Sequence, residues 1–282
     1  MPMISPKLAE KIAKTLLWVA AIFTVLALIL IIGYVFYKGV GKLNLEFLLD
    51  SPKRMGRKGG IFPTIVGTIY FIVVTLAIAT PIGVGAAIYL NEYTRDNAVT
   101  RLIRFGTEAL AGVPSIVFGL FGYAFFAVLL KPFTGGWSIL SGSLTAATMI
   151  LPTLIRTSEE ALKTVPRSYR EGSLALGATK WQTITRVILP SAIPGIITGV
   201  ILGVGRAIGE TAALLLTLGG SLRLPTTIFD PARTLSMHLY LVAMEVGAFD
   251  MAFGTAAILI MIILGINFTA TWLMNRFIAK LS

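Results

Sequence analysis

Six stretches of this chain run for about twenty residues or more with almost no charge, and this feature limits the possible folds more than any other. Residues 16–37, 62–90, 137–155 and 253–274 hold no charged side chain; 105–130 hold one, Glu108; and 191–219 hold two, Arg206 and Glu210. A helix needs about 20 mostly apolar residues to cross a hydrocarbon core of roughly 30 Å. Strands of a membrane barrel alternate over only about 10 residues. The first run exceeds the roughly 7–15-residue core of a signal peptide, and no small-residue cleavage pattern follows it. It reads as a retained span. The sequence predicts an all-α integral membrane protein with six transmembrane helices. Composition agrees: 56% of the residues are hydrophobic and 13% are charged, where a soluble domain has about 25% charged. That excludes a disordered chain. The absence of cysteine excludes a disulfide scaffold or zinc finger. A net charge of +11 invites a nucleic-acid reading, but no soluble nucleic-acid binder solvates so much apolar surface.

Basic residues orient the spans. An even count places both termini on one side. That side collects Lys7, Lys11, Lys14, Arg95, Arg101, Arg104, Arg156, Lys163, Arg167, Arg170, Lys180, Arg186, Arg276 and Lys280, fourteen in all, against nine on the other. Both termini are therefore expected in the cytoplasm, against the pull of the outer cluster at 53–58. Pro81, Pro114 and Pro152 fall within predicted helices and are expected to bend them. Bent helices either pack as an ordinary bundle or enclose a pathway.

The fifth run carries the chemistry. Gly195, Gly199 and Gly203 repeat every four residues, and at 100° per residue Arg206 and Glu210 share their face. Small residues at this spacing let helices approach closely, so the face should meet protein. Arg206 lies about 22 Å from residue 191 and about 20 Å from residue 219 along a continuous helix, near the bilayer centre. An Arg there costs at least about 2.5–3.5 kcal/mol. Arg206 and Glu210, at i and i+4, are placed to pair. Two readings fit: a buried ion pair fixing register, or a mid-membrane site for a polar or anionic substrate, with Thr211 adding a hydroxyl. Arg156 stands at the expected membrane edge, where an Arg either snorkels or lines a pathway. Glu159, at i+3, is placed to pair with it.

The 34-residue loop 157–190 reads as two short helices. Gly177 is a left-handed stop for the first, and Thr179 with Gln182 forms a capping box for the second, which Pro190 ends. Such a loop either lies on the membrane surface or docks a cytoplasmic partner.

Within it, Glu171-Gly172-Ser173-Leu174-Ala175-Leu176-Gly177, nine residues, then Val187-Ile188-Leu189-Pro190 resembles the signature loop of ABC importer permeases. That signature reads Glu-Ala-Ala, three residues, Gly, nine residues, Ile, any residue, Leu-Pro. Gly172 and Ser173 replace its alanines and Val187 its isoleucine. The resemblance implies the type I ABC importer permease fold, with the loop seated in a groove of an ATPase subunit. A finer resemblance is to phosphate-importer permeases of the PstA type. It rests on Gly59-Gly-Ile-Phe-Pro-Thr-Ile-Val-Gly-Thr68, Ala87-Ile-Tyr-Leu-Asn-Glu-Tyr93, Gly112-Val-Pro-Ser-Ile-Val-Phe-Gly119, Arg156-Thr-Ser-Glu159 and Gly205-Arg-Ala-Ile-Gly-Glu-Thr-Ala212. It implies phosphate passage at Arg156, Glu159, Arg206 and Glu210. It also implies a PstC-like second permease, two PstB-like ATPase subunits and an extracytoplasmic PstS-like phosphate-binding protein, in a bacterial or archaeal cytoplasmic membrane.

No Walker-type phosphate loop is present, so ATP hydrolysis is expected in a partner chain and not here. With one His and no Cys, neither a metal centre nor a cofactor is expected. His238 reads as a surface residue on a short interfacial helix over 231–246, started by Asp230-Pro231. The cluster at 53–58 suits anionic headgroups, phosphate or plain solvation. The organisation expected is 1–61 (N-terminal segment, first span, outer loop), 62–275 (permease core) and 276–282 (cytoplasmic tail). Rival functions are a permease for another oxyanion such as molybdate or sulfate, a membrane-embedded enzyme, or a scaffold.

Overall fold

The computed structural model describes residues 5–94 and 97–281, the side chains of Pro6 and of 277–281 excepted. Arg95 and the Lys280 side chain of the charge tally lie outside the described residues. The first apolar run forms α1 (Pro6–Gly39). A short α2 (Leu45–Leu49) follows, its start capped by Asn44, whose side chain accepts from the Phe47 N–H at 2.7 Å. Two-residue strands β1 (Pro52–Lys53) and β2 (Lys58–Gly59) pair antiparallel, Pro52 opposite Gly59. The second run forms α3 (Phe62–Ile88), which keeps Pro81 inside an unbroken helix and ends in a wide π turn at Tyr89–Tyr93.

The third run departs from expectation. It is not one bent helix over 105–130 but two: α4 (Ala98–Ala111) and α5 (Ser115–Gly122), the latter prolonged by a π stretch to Leu129. The two directions differ by 102°. Pro114 offers no N–H and pushes Val113 out of the helical region, and Gly112 next to them gives no support. Residues 105–111 thus belong to an amphipathic helix bearing Arg101, Arg104 and Glu108, and the apolar passage starts at Ser115.

A one-turn α6 (Lys131–Thr134) leads into α7 (Ile139–Thr164), which holds the fourth run and continues well past residue 155. The loop forms α8 (Arg167–Ala175) and α9 (Lys180–Thr183). Pro190 does not end a helix there. A π stretch at Ile184–Ile188 runs straight into α10 (Leu189–Gly209). The wide turn accommodates a proline that lacks the N–H an α-turn needs. The fifth run breaks after Gly209 and resumes as α11 (Ala212–Thr217). After α12 (Leu235–Met244), the sixth run forms α13 (Phe249–Leu281). Among the described residues five helices are long and apolar enough to cross a bilayer, and the bent α4–α5 pair makes a sixth passage.

α7 is the centre of the bundle, packed between α3 and α10. Ala79 of α3 meets Ala147, Ile150 and Leu154 of α7, and Gly83 lies so close to Leu154 that an added Cβ would stand 2.9 Å from it. On the other side, a Cβ at Gly195 would lie 2.5 Å from the Ala161 methyl, and one at Gly199 would overlap the Thr157 hydroxyl. The glycine face of α10 therefore meets protein, as its spacing predicts. α1 instead leaves its apolar surface bare on most sides. It touches α13 near Gly39, with Tyr34 edge-on to Phe253 at 5.7 Å.

Candidate functional site

The register of α10 on α7 sets the depth of the polar residues. Gly199 faces Thr157, and Gly203 faces Ile150 and Leu154. Arg206 stands seven residues beyond Gly199, about 10 Å farther from the α8–α9 end of the bundle than Arg156. Arg206 occupies the last turn of α10 and is half-buried. Among the described residues it has no hydrogen-bond or ion-pair partner.

The expected Arg206–Glu210 pair is not formed, because the helix that would align them stops. Glu210 adopts extended backbone angles (φ −71°, ψ 132°). Its carboxylate accepts from the Ala213 N–H at 3.1 Å and so caps α11, and its carbonyl accepts from the Ser236 hydroxyl at 2.6 Å. The break is thus satisfied from both directions, and Thr211 sits in it. What compensates Arg206 instead is the negative end of α10. A helix C-terminus is worth about 0.3–1 kcal/mol to a cation, up to about 2 when partly buried, against a cost of at least about 2.5–3.5 kcal/mol at mid-membrane.

Arg156 and Glu159 lie elsewhere, in a cleft of about 540 Å³ between α4 and α7 that also presents Arg104, Glu108, Glu160 and Lys163. Arg156 does not mark the end of its span, since α7 runs eight residues farther, about 12 Å. Nor does it pair with Glu159. Arg156 Nε donates to Glu160 at 3.3 Å, whereas Glu159, almost wholly buried, is held by Arg104 Nη2 at 2.7 Å and Lys163 Nζ at 2.8 Å. Arg104 gives no signal in sequence: its partner is 55 residues away, and its helix looks like the start of a span.

The loop meets most of its expectations. Gly177 has φ +85°, the left-handed stop. Thr179 and Gln182 form both capping-box bonds, at 2.9 and 3.3 Å. Glu171, Gly172 and Gly177 are exposed, as is Leu176 at 90%, whereas Ser173 turns inward to bond Thr183 at 2.9 Å. Leu189 and Pro190 are half-buried within the continuous helix.

At the opposite end of α3, His238 is not a surface residue. It is fully buried, and neither ring nitrogen has a partner. It lies beneath the β1–β2 hairpin, where a Cβ on Gly56 would come within 3.0 Å of its ring. Burial, reinforced by the charge of Arg233, pushes its pKa down to about 4. Its helix begins at Leu235, capped by Thr234, because Asp230 is engaged elsewhere: its carboxylate accepts from the Thr226 and Thr227 N–H groups at 2.8 Å.

Comparison with known proteins places this arrangement. Residues 79–282 match the family described as the binding-protein-dependent transport system inner membrane component. The chain is 36% identical to the probable ABC transporter permease protein YqgI of Bacillus subtilis, over 98% of each chain. It is 36% identical to the phosphate transport system permease protein PstA of Pasteurella multocida, over 75% of this chain and 74% of that one. PstA of Xylella fastidiosa (strain Temecula1) follows at 32%, over 82% and 79%. Among solved structures, a bacterial alginate ABC transporter in complex with its periplasmic protein superposes with a TM-score of 0.68 at 15% identity, over 96% of this chain and 98% of that one. A chain of the inward-facing MetNI methionine ABC transporter gives 0.56 at 20%, over 77% and 94%. This chain therefore belongs to the binding-protein-dependent transport system inner membrane components, as a multi-span permease subunit of an ABC importer and not an enzyme.

Proposed function

We propose that the chain is the permease subunit of an ATP-driven importer of inorganic phosphate. The observation that carries this reading is Arg206: a half-buried guanidinium at a helix break, with no acceptor among the described residues. Its planar fork donates two parallel hydrogen bonds to a tetrahedral oxyanion. The relatives named as phosphate permeases support the choice of ion. Contact with Arg206 is brief and weak, since a tightly held ion would not leave. Glu210 serves by holding the break open and not by pairing with Arg206, and Thr211 offers a hydroxyl beside it. Arg156 and Glu159, about 10 Å nearer the loop end, line the next stage of the route.

The loop end is read as the cytoplasmic one from the excess of basic residues there. Glu171, Gly172, Gly177 and the exposed Leu176 form the docking surface for an ATPase subunit. Ser173, Leu189 and Pro190 hold that surface to α10. A second permease of the PstC type completes the route, two PstB-type ATPases drive it, and a PstS-type binding protein delivers phosphate outside. Uptake of labelled phosphate into cells relying on this importer, with unlabelled phosphate, sulfate or molybdate as competitor, tests the ion. Competition by phosphate alone is expected; stronger competition by sulfate or molybdate overturns the assignment in favour of another oxyanion.

A further inference from the structure

Within the loop 157–190, the stretch from 166 to 182 holds no buried residue. No residue of α8 is buried, so whatever moves that helix needs a route into the spans. One route is covalent, through the π stretch into α10. A second, beside the apolar packing of Ile184 and Ile188 on Ala87 of α3, is the side chain of Arg170. Arg170 Nη2 donates to Glu92 at 2.8 Å, and Nε reaches the same carboxylate at 3.3 and 3.4 Å. Nη1 donates to the carbonyl of Val165, the residue capping α7, at 2.7 Å, and Nη2 also donates to that of Leu162 in α7 at 2.9 Å. Glu92 is nearly buried, its side chain 8% exposed, and it also accepts from the Asn91 amide at 2.7 Å.

Glu92 lies in the π turn that ends α3. Such turns re-aim side chains that a regular helix would point elsewhere, and here two successive residues face the loop. Beside the Glu92–Arg170 bond, Lys180 of α9 sits 4.8 Å from the centre of the Tyr93 ring. Ser173 and Thr183 close α8 onto α9. α8, the end of α7 and the end of α3 thus meet at one guanidinium, with α9 beside it, and its charge-assisted bonds have the two-pronged geometry that resists rotation.

We propose that Arg170, seated on Glu92, is the positioning residue that carries displacement of the 157–190 loop into α3, so that ATPase motion reaches spans two and four as well as span five. The proposal rests on that loop being the ATPase docking site. Lysine cannot replace this function, because one ammonium does not reach three acceptors on two helices.

The test is hydrogen exchange on the assembled importer in lipid nanodiscs, nucleotide-free and trapped with ATP and vanadate. In the wild type, peptides from 166–177 and from 84–93 both change protection on trapping. In Arg170→Lys and in Glu92→Gln, 166–177 still responds, while the response of 84–93 falls by about threefold or more, as expected for members of one ion-pair network. The double variant Glu92→Gln/Arg170→Lys is no worse than either single one. A merely structural pair would lower assembly and thermal stability without separating the two peptides. Should one variant fail to assemble, the other supplies the comparison. An unchanged 84–93 response in the variants overturns the proposal. A wild-type loop that ignores trapping removes the docking reading and the proposal with it.

Discussion

Replacing Gly199 by Ala adds one methyl group where α10 crosses α7. That methyl would overlap the Thr157 hydroxyl oxygen and lie 2.9 Å from the Thr157 Cβ, so the helices must part by a fraction of an ångström or Thr157 must leave its rotamer. Overpacking of this kind costs about 1–3 kcal/mol. Gly205, in the same helix, has nothing within 4 Å of an added Cβ, and Gly205→Ala gains about 0.5–1 kcal/mol of backbone entropy. The two substitutions share chemistry and propensity, so their difference isolates the contact. Thermal unfolding of the purified chain in detergent should separate them by roughly 5 °C, at about 2–4 °C per kcal/mol for a chain this long. Thr157→Ala removes the hydroxyl and should recover part of the loss in Gly199→Ala. Equal midpoints for the two glycine variants would mean that α10 does not seat on Thr157. The depth assigned to Arg206 would then be wrong.

Glu159→Gln leaves Arg104, whose Nε already lacks a partner, without its carboxylate. The loss should be about 2 kcal/mol, less than the about 3–5 of a fully buried pair because Arg104 and Lys163 are partly exposed. Faster tryptic cleavage within α4 reads it out. Gly177→Ala meets no atom within 4 Å but forces a side chain to φ +85°, a penalty of about 1–2 kcal/mol. It should weaken co-purification of the ATPase at unchanged chain levels, and Gly177→Asn should do so less. His238 is neutral when folded, its pKa lowered to about 4 from 6.5. Unfolding therefore takes up a proton between those values, and stability falls as pH drops from 6.5 towards 4, by about 3 kcal/mol at most. His238→Leu should flatten that slope in thermal scans.

Long apolar runs made the passages legible, because burying a span in lipid is a property of composition that needs no partner. The glycine face of α10 was legible for a similar reason: its period is local. The misses share the opposite cause. Nothing near Glu210 announces a break, since the groups that stabilise it, the Ala213 N–H and the Ser236 hydroxyl, are supplied only on folding. Pro114 signalled a disturbance, but the size of the turn depends on where α4 docks, and that is set by Arg104 meeting Glu159 across 55 residues. A lone histidine is ordinarily exposed. His238 is buried because a hairpin with Gly56 at φ +97° closes over it, and that turn has no sequence link to α12. The loop 157–190 was legible down to its capping box because those features span only a few residues. The Arg170–Glu92 bond, between residues 78 apart, was not.

Arg206, unpartnered among the described residues, is proposed to take a passing oxyanion as its partner. The most direct measurement is the initial rate of labelled phosphate uptake by the reconstituted importer carrying Arg206→Gln, at matched protein levels and with ATP hydrolysis recorded in parallel. Loss of one charge-assisted bond of about 1.5–3 kcal/mol should lower uptake roughly ten- to a hundredfold while the ATPase remains assembled and active. Uptake at the wild-type rate would contradict the account.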